Sequence, residues 1–184
     1  MPILIGAKPE STFRDPIGLL TDCHRRIERF LSVLAQLGKQ AHSGPLTSEQ
    51  RGALETALRY FSESAPKHTA DEEQTLFPRL RSLDRPEVKA VLANMDSLEC
   101  DHAQANELHT NIDRLGRAWL ASGSLSPEDA ERFTAIVRKL EDLYRNHIAL
   151  EEHEVFPVAA AVLERPQQEA MGSEMAARRG LRQS

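Results

Sequence analysis

The chain contains one eleven-residue pattern twice, as 68-HTADEEQTLFP-78 and as 147-HIALEEHEVFP-157. Six of the eleven positions are identical in the two copies: a histidine, an alanine, two adjacent glutamates and a final Phe-Pro pair. Residues i and i+4 of an α-helix lie on the same face, one turn apart. Each copy is therefore expected to point its histidine and its first glutamate in one direction, His68 with Glu72 and His147 with Glu151.

The sequence around both copies predicts an all-α protein, an up-down four-helix bundle with a short C-terminal tail helix. Helix starts are indicated at Asp15-Pro16, at the capping-box sequence TSEQ from Thr47, at Pro86 and at Ser126-Pro127. Apolar residues recur at helical spacing after these starts, and Asn-Gly or Asp-Gly hairpin turns are absent from the sequence. We expect four long helices over residues 15–44, 47–82, 86–121 and 126–163.

The four predicted helices each carry one histidine at the same level of the bundle. The number of residues between loop and histidine is nearly the same on both sides of each loop: 20 and 21, then 16 and 16, then 21 and 21. The chain therefore climbs and returns by equal lengths, at about 1.5 Å per residue. The histidines that this arithmetic brings together are His24, His68, His102 and His147.

Four imidazoles and two carboxylates at one level favour a site for two metal ions. Six ligands exceed what one first-row ion needs, but they suit two ions that each take two histidines and share both glutamates as bridges. Positions would remain for an oxo or hydroxo bridge and for an external ligand. Mixed nitrogen and oxygen ligation without thiolate favours iron or manganese over structural zinc.

These residues resemble the hemerythrin-like HHE cation-binding domain over about residues 15 to 163. The resemblance rests on His24, on the two H-x-x-x-E pairs with their LFP and VFP endings, and on His102. It implies a four-helix bundle with a carboxylate-bridged centre of two non-haem iron ions, for which manganese or zinc are possible substitutes. Such a centre binds dioxygen, nitric oxide or related small ligands, among them peroxide. The ligands implied by position are His24, His68, Glu72, His102, His147 and Glu151.

The chain differs from the oxygen-carrying members at two positions. Those carriers are known to have a second histidine one turn after the ligand of the third helix, where this chain has Asn106. They also have an aspartate in the fourth helix, where this chain has Glu151. The site thus looks like the symmetric centre of the di-iron proteins of nitrosative stress and iron-centre repair, and simple oxygen storage is disfavoured.

Residues next to the expected ligands receive other roles. Glu73 and Glu152 follow their histidines by five residues, about 140° around the helix, and are expected to face away from the ions. Glu28, one turn after His24, is expected to orient a ligand, and Tyr144 to pack. Further expectations are that Phe77 and Phe156 close the apolar end of the site, that Cys23 and Cys100 are small buried thiols, and that His42, His109 and His153 lie at the surface.

Composition restricts the other classes of function. The net charge of −5 provides no basic surface, so nucleic acid is not an expected partner. No apolar run approaches the roughly 20 residues that span a bilayer, and the N-terminus does not read as a secretory signal. Two cysteines make no disulfide framework. We expect a cytoplasmic monomer or homodimer with an N-terminal extension (1–14), one domain (15–163) and a tail helix (164–184).

Three functions remain open from the sequence. The first is sensing or binding of dioxygen or nitric oxide without turnover, in a sensing or oxidative and nitrosative stress role. The second is an enzyme for peroxide removal, nitric oxide reduction or iron-centre repair. The third is a helical interaction protein with structural metal. A ferritin-like oxidase would need two Glu-x-x-His motifs. Only the stretch from Glu99 to His102 fits this motif, so the sequence does not support a ferritin-like oxidase.

Overall fold

The computed structural model describes residues 11–41 and 44–181, and over these residues it confirms the all-α bundle. His42, most of the predicted N-terminal extension and the last three residues of the tail lie outside the described residues. We name the helices α1 (Pro16–Gln40), α2 (residues 48–81), α3 (Pro86–Ser122), α4 (residues 127–162) and α5 (Arg165–Arg178). The predicted ends of the four long helices agree with these bounds to within a few residues.

The predicted start signals form the caps of the helices. The Asp15 side chain accepts a hydrogen bond from the Gly18 backbone N–H at 3.0 Å at the start of α1. Thr47 and Gln50 form the reciprocal capping box that begins α2. Gly123 ends α3 with a φ of 80°, a left-handed conformation that glycine adopts without a Cβ penalty. The short loops are thus fixed locally, and the helices on either side of them run up and down.

Three π-helical turns interrupt the two helices that carry the repeated pattern. They are Tyr60–Ser64 and Glu72–Leu76 in α2, and Glu151–Val155 in α4. In the two repeated copies, the N–H of Phe77 and of Phe156 donates to the carbonyl five residues earlier. A proline follows each phenylalanine, and a proline ring clashes with the preceding helical turn. The wider turn accommodates that ring, which explains why both copies of the pattern end in the same Phe-Pro pair.

Two apolar clusters fill the bundle above and below the level of the histidines. One cluster includes Ile27, Leu54, Trp119 and Phe133, all at most 1% exposed. The other lies towards the loop between α2 and α3 and includes Leu20, Leu76, Met95 and Val155. The polar level is therefore enclosed by apolar side chains along the bundle axis. None of the helices in the described part of the chain is both long and apolar enough to cross a membrane.

The tail helix α5 packs on α1 and α2 beside the histidine level. Asp71 on α2 is fully buried and its carboxylate accepts hydrogen bonds from Arg178 and Arg179, the latter at 2.6 Å. Arg178 also donates to the Thr75 hydroxyl at 3.2 Å. Met171 and Met175 of α5 join the second apolar cluster. The tail is thus attached by a buried ion pair as well as by apolar contacts.

Replacement of Gly172 by alanine is expected to loosen α5. A Cβ at this position would lie 1.8 Å from the Phe13 carbonyl oxygen, so the backbone must shift. We expect G172A to lower the free energy of unfolding by about 1 to 3 kcal/mol. Gly52, on α2, provides the control, because a Cβ added there would have no atom within 4 Å. G52A should stabilise by about 0.5 to 1 kcal/mol in the same denaturation experiment.

The buried ion pair of the tail predicts a second contrast. Asp71→Ala leaves two guanidinium groups without their shared carboxylate, and breaking such a buried pair costs about 3 to 5 kcal/mol. Glu174 forms a pair across the same interface with Arg79, at 2.6 Å, but it is exposed. Glu174→Ala should cost at most about 1 kcal/mol. Equal losses of stability in urea unfolding would contradict a special role for the Asp71 pair.

Candidate metal centre

Six polar side chains from the four long helices meet in the interior of the bundle. They are among the most buried residues of the described chain, with exposed fractions of 0% for His24 and Glu151 and 8% for His102. They comprise all six of the predicted site residues: His24, His68, Glu72, His102, His147 and Glu151. The equal residue counts on the two sides of each loop thus place the histidines together, as expected.

The six side chains form two overlapping groups of four whose candidate ligand atoms all lie within 4.8 Å of one another. In the first group, His24 Nε2 is 2.9 Å from a Glu151 oxygen, and His68 Nε2 is 3.1 Å from a Glu72 oxygen. In the second group, His102 Nε2 is 3.2 Å from the other Glu72 oxygen. His147 Nε2 is 3.3 Å from Glu151. Both glutamates belong to both groups, so each carboxylate lies between two pairs of imidazoles.

Most inner atoms of this cluster have no hydrogen-bond partner among the described residues. The exceptions are Nε2 of His102 and Nε2 of His147, which lie 3.2 Å apart, within hydrogen-bond distance. Both carboxylate oxygens of Glu72 and of Glu151 are buried without such a partner, as are Nε2 of His24 and both ring nitrogens of His68. Several of these atoms are close together, but their directions do not suit hydrogen bonds. Buried polar atoms without partners are rare because their desolvation is costly. Their convergence on two common points is typical of a metal site.

The second glutamate of each copy contradicts the sequence expectation. Glu73 and Glu152 were expected to face away from the site, but each contacts the outer nitrogen of a histidine on a neighbouring helix. The Glu73 carboxylate is 2.8 Å from Nδ1 of His102, and the Glu152 carboxylate is 2.8 Å from Nδ1 of His24. Each glutamate thus accepts a hydrogen bond that fixes the ring orientation and leaves Nε2 directed inwards.

The expectation failed because it measured the direction of each glutamate from its own helix. A turn of about 140° does move Glu73 away from the face of His68, but it points the side chain towards α3. The same rotation points Glu152 from α4 towards α1. A long, flexible carboxylate then reaches the back of the neighbouring imidazole. The sequence did contain a signal for this role. Both copies of the pattern keep the second glutamate, although the copies differ at five of their eleven positions.

The other two histidines differ in their outer partners. Nδ1 of His147 lies 3.4 Å from the Asp101 carboxylate, whereas Nδ1 of His68 has no partner. The residue before His24 corresponds to Asp101 in the repeat, and it is Cys23. This thiol is buried, and its sulfur accepts a hydrogen bond from Arg26 at 3.3 Å. The two halves are therefore equivalent in their inner ligands but not in what supports them.

Three further expectations are wrong. Glu28 does not orient a ligand but pairs with Arg25 at the surface. Cys100 is exposed rather than buried. His109 is not a surface residue, because it stacks on Phe61 and lies 3.0 Å from the Tyr144 hydroxyl. Other expectations are confirmed: His153 is exposed, Cys23 is buried, Phe156 stacks on His24, and Phe77 lies fully buried near His102.

The charges of the cluster depend on one another. Burial lowers the pKa of His68 to about 4, so this imidazole is neutral. Burial also acts to lower the pKa of His102, but the close contact with the charged Glu72 carboxylate outweighs it and raises the pKa to about 9. Burial acts to raise the pKa of Glu72, yet the nearby imidazoles hold it well below its ordinary value. The cluster thus combines ionised carboxylates with positive charge, a role that metal ions fill equally well.

Comparisons with known proteins agree with this geometry. The family described as "Hemerythrin HHE cation binding domain" matches residues 15–159. A curated relative from Haemophilus influenzae (strain ATCC 51907 / DSM 11121 / KW20 / Rd) is 29% identical over 173 residues, covering 94% of this chain and 95% of the relative. That relative is described as an uncharacterized protein. The family match spans all four long helices and ends before α5.

Proposed function

The chain belongs to the hemerythrin HHE cation-binding family, and from this premise we propose that it holds two non-haem iron ions that bind dioxygen or nitric oxide. One ion would be held by His24 and His68, and the other by His102 and His147. Glu72 and Glu151 would bridge them. We further propose that the protein serves in sensing or in the response to oxidative and nitrosative stress, within a domain formed by residues 15–163.

The observation that carries this proposal is the set of buried inner atoms without hydrogen-bond partners. Each of the two groups offers two imidazole nitrogens and two carboxylate oxygens, and the groups share both carboxylates. Two cations fit this donor set because a carboxylate has two oxygens. Those of Glu72 lie 3.1 Å from His68 Nε2 and 3.2 Å from His102 Nε2, one on each side. Imidazole and carboxylate suit iron, and none of the six residues is a cysteine, the ligand typical of structural zinc.

The residues around the ions would keep the site selective for a small ligand. When bound, an iron pair supplies redox-active metal with coordination positions open to a small molecule. Phe156 stacks on His24 with ring centroids 5.4 Å apart, and Phe77 covers the same end of the site near His102. These rings exclude water from that end. Glu73 and Glu152 hold two imidazoles in the orientation that directs Nε2 inwards.

Metal analysis of protein produced in iron-rich medium tests the proposal directly. We expect two irons per chain, together with absorption in the near ultraviolet from the oxidised pair. His68→Ala and Glu151→Ala should each reduce the iron content by at least one ion, whereas His153→Ala, an exposed histidine of the same repeat, should leave it at two. Less than one metal ion per wild-type chain would contradict the proposal. Repeated turnover of peroxide or nitric oxide with a reductant would indicate an enzyme.

The outer glutamates give a second prediction. Glu73→Gln and Glu152→Gln keep the size of the side chain but replace the charged carboxylate, which accepts the hydrogen bond from Nδ1, by a neutral amide. Loss of such an outer partner typically lowers metal affinity by about 10- to 100-fold. Glu154→Gln is the matched control, because Glu154 is an exposed glutamate in the same π-helical turn as Glu152. Competition with a chelator measures all three, and equal affinities would contradict the positioning role.

A further inference from the structure

The repeat allows the surroundings of the two halves to be compared position by position. His102 follows His24 by 78 residues, so α3 corresponds to α1 with that offset. His147 follows His68 by 79 residues, so α4 corresponds to α2. The gap between α2 and α3 therefore corresponds to the gap between α4 and α1. A symmetric centre would be equally accessible through both gaps, but this centre is not.

A cavity of about 510 Å³ opens between α2 and α3 and reaches the centre at His102. Small side chains leave it open, among them Ala65, Thr69 and Ala103. Tyr144 and His109, which lie 3.0 Å apart, also line it. His102 is itself a lining residue, so the cavity extends from the surface to a predicted ligand. We name it the α2/α3 cavity.

The corresponding gap between α4 and α1 contains a smaller cavity, of about 350 Å³, whose lining does not include His24. Larger residues stand at the equivalent positions: Tyr144 for Ala65, Ile148 for Thr69 and Arg25 for Ala103. Arg25 donates to Glu28 at 2.8 Å and also to Glu152, the partner of His24. This ion-paired arginine covers the outer side of His24. The difference agrees with exposed fractions of 0% for His24 and 8% for His102.

The tail helix α5 also covers the half of the centre that contains His24 and His68. α5 packs on α1 and on the π-helical turn Glu72–Leu76 of α2. Arg178 and Arg179 of this region bind Asp71, the residue before Glu72. His68, on the preceding turn of α2, is only 3% exposed. The half containing His24 and His68 is therefore enclosed both by α5 and by the Arg25 ion pair.

The charges that line the α2/α3 cavity indicate the kind of ligand that it admits. Its acidic residues are Glu73 and Glu99, and none of its described lining residues is a lysine or an arginine. Burial lowers the pKa of His109 to about 4, so this imidazole adds no positive charge at neutral pH. Arg81 pairs with Glu99 at 2.7 Å and offsets its charge. Glu73 contacts His102, an imidazole that is neutral when it binds a metal ion, so in the proposed metal-bound form the charge of Glu73 remains. This net negative charge slows the approach of anions and leaves uncharged molecules unaffected.

We infer that the small ligand of the centre is an uncharged molecule that arrives through the α2/α3 cavity and binds on the side of His102 and His147. The side of His24 and His68 stays closed to it. This inference rests on the proposed function, because it assigns a direction and a charge class to the ligand of the same centre. The repeated pattern places similar side chains in both halves of the centre, but the neighbouring residues leave only the gap between α2 and α3 open.

Blocking the α2/α3 cavity tests the direction of access. Asn106 lines it and is exposed, and Glu28 is the equivalent exposed residue of the other gap. Stopped-flow mixing of the reduced two-iron protein with nitric oxide should show association about tenfold slower in Asn106→Trp. Glu28→Trp should bind at the wild-type rate. Equal rates in the two variants, or slowing by Glu28→Trp alone, would overturn the inference.

Controls separate this outcome from a failure of folding or of the proposed function. Helical circular dichroism and iron content are measured on every variant before mixing. If Asn106→Trp loses iron, Ala103→Trp places the same bulk in the cavity from an exposed position and carries the same expectation. Asn106→Ala, which widens the cavity, should bind nitric oxide at least as fast as wild type. A wild-type protein with two irons that binds no nitric oxide contradicts the function instead.

The charge class has its own measurement. Glu99 lines the cavity and pairs with Arg81 at 2.7 Å, so Glu99→Gln removes a negative charge and releases a positive one. At low ionic strength, azide should bind the oxidised protein at least about twofold faster in this variant, and added salt should remove the difference. Nitric oxide association should be unchanged. An azide rate insensitive to both changes would overturn the selectivity for uncharged ligands.

Discussion

The rest of the structure depends on one constraint, the burial of two carboxylates and four imidazoles in the core of a helical bundle. Removing such groups from water is costly, and the inner oxygens of Glu72 and Glu151 gain no hydrogen bond in return. Two apolar clusters, one at each end of the polar level, hold the helices in register. The bundle can maintain this arrangement because each of the six side chains lies on a long helix and none on a loop.

The same constraint explains the Phe-Pro pair that ends both copies of the pattern. The phenylalanine places an aromatic ring against the imidazole level, and the proline forces a π-helical turn that begins at Glu72 in one copy and at Glu151 in the other. A wider turn changes the direction of the side chains within it. Glu72 and Glu151 can therefore face the interior while the next residue on each helix reaches a neighbouring helix. The motif specifies backbone geometry as well as ligand type.

Features that depend on local spacing could be predicted from the sequence. Contacts between side chains of different helices could not, because the sequence does not show which helices are neighbours. Equal residue counts around each loop placed His24, His68, His102 and His147 at one level, and the caps at Asp15 and Thr47 were predicted correctly. The roles of Glu73 and Glu152 were wrong, because an angle on one helix does not reveal the histidine of the next. The pairing of Asp71 with Arg178 and Arg179 spans more than a hundred residues and has no local signal.

The inner side chains of the two halves are equivalent, whereas the protein around them is not. Duplication gives each half a histidine pair and an outer glutamate, but Asp101 supports His147 where Cys23 stands beside His24. Arg25 covers one gap where Ala103 leaves the other open, and α5 adds further cover to the half that is already closed. The Arg25 ion pair and α5 both close the half that contains His24 and His68, and Asp101 supports a histidine of the other half. Two metal ions held as proposed would therefore differ in access and in outer support, even though each half contributes two histidines.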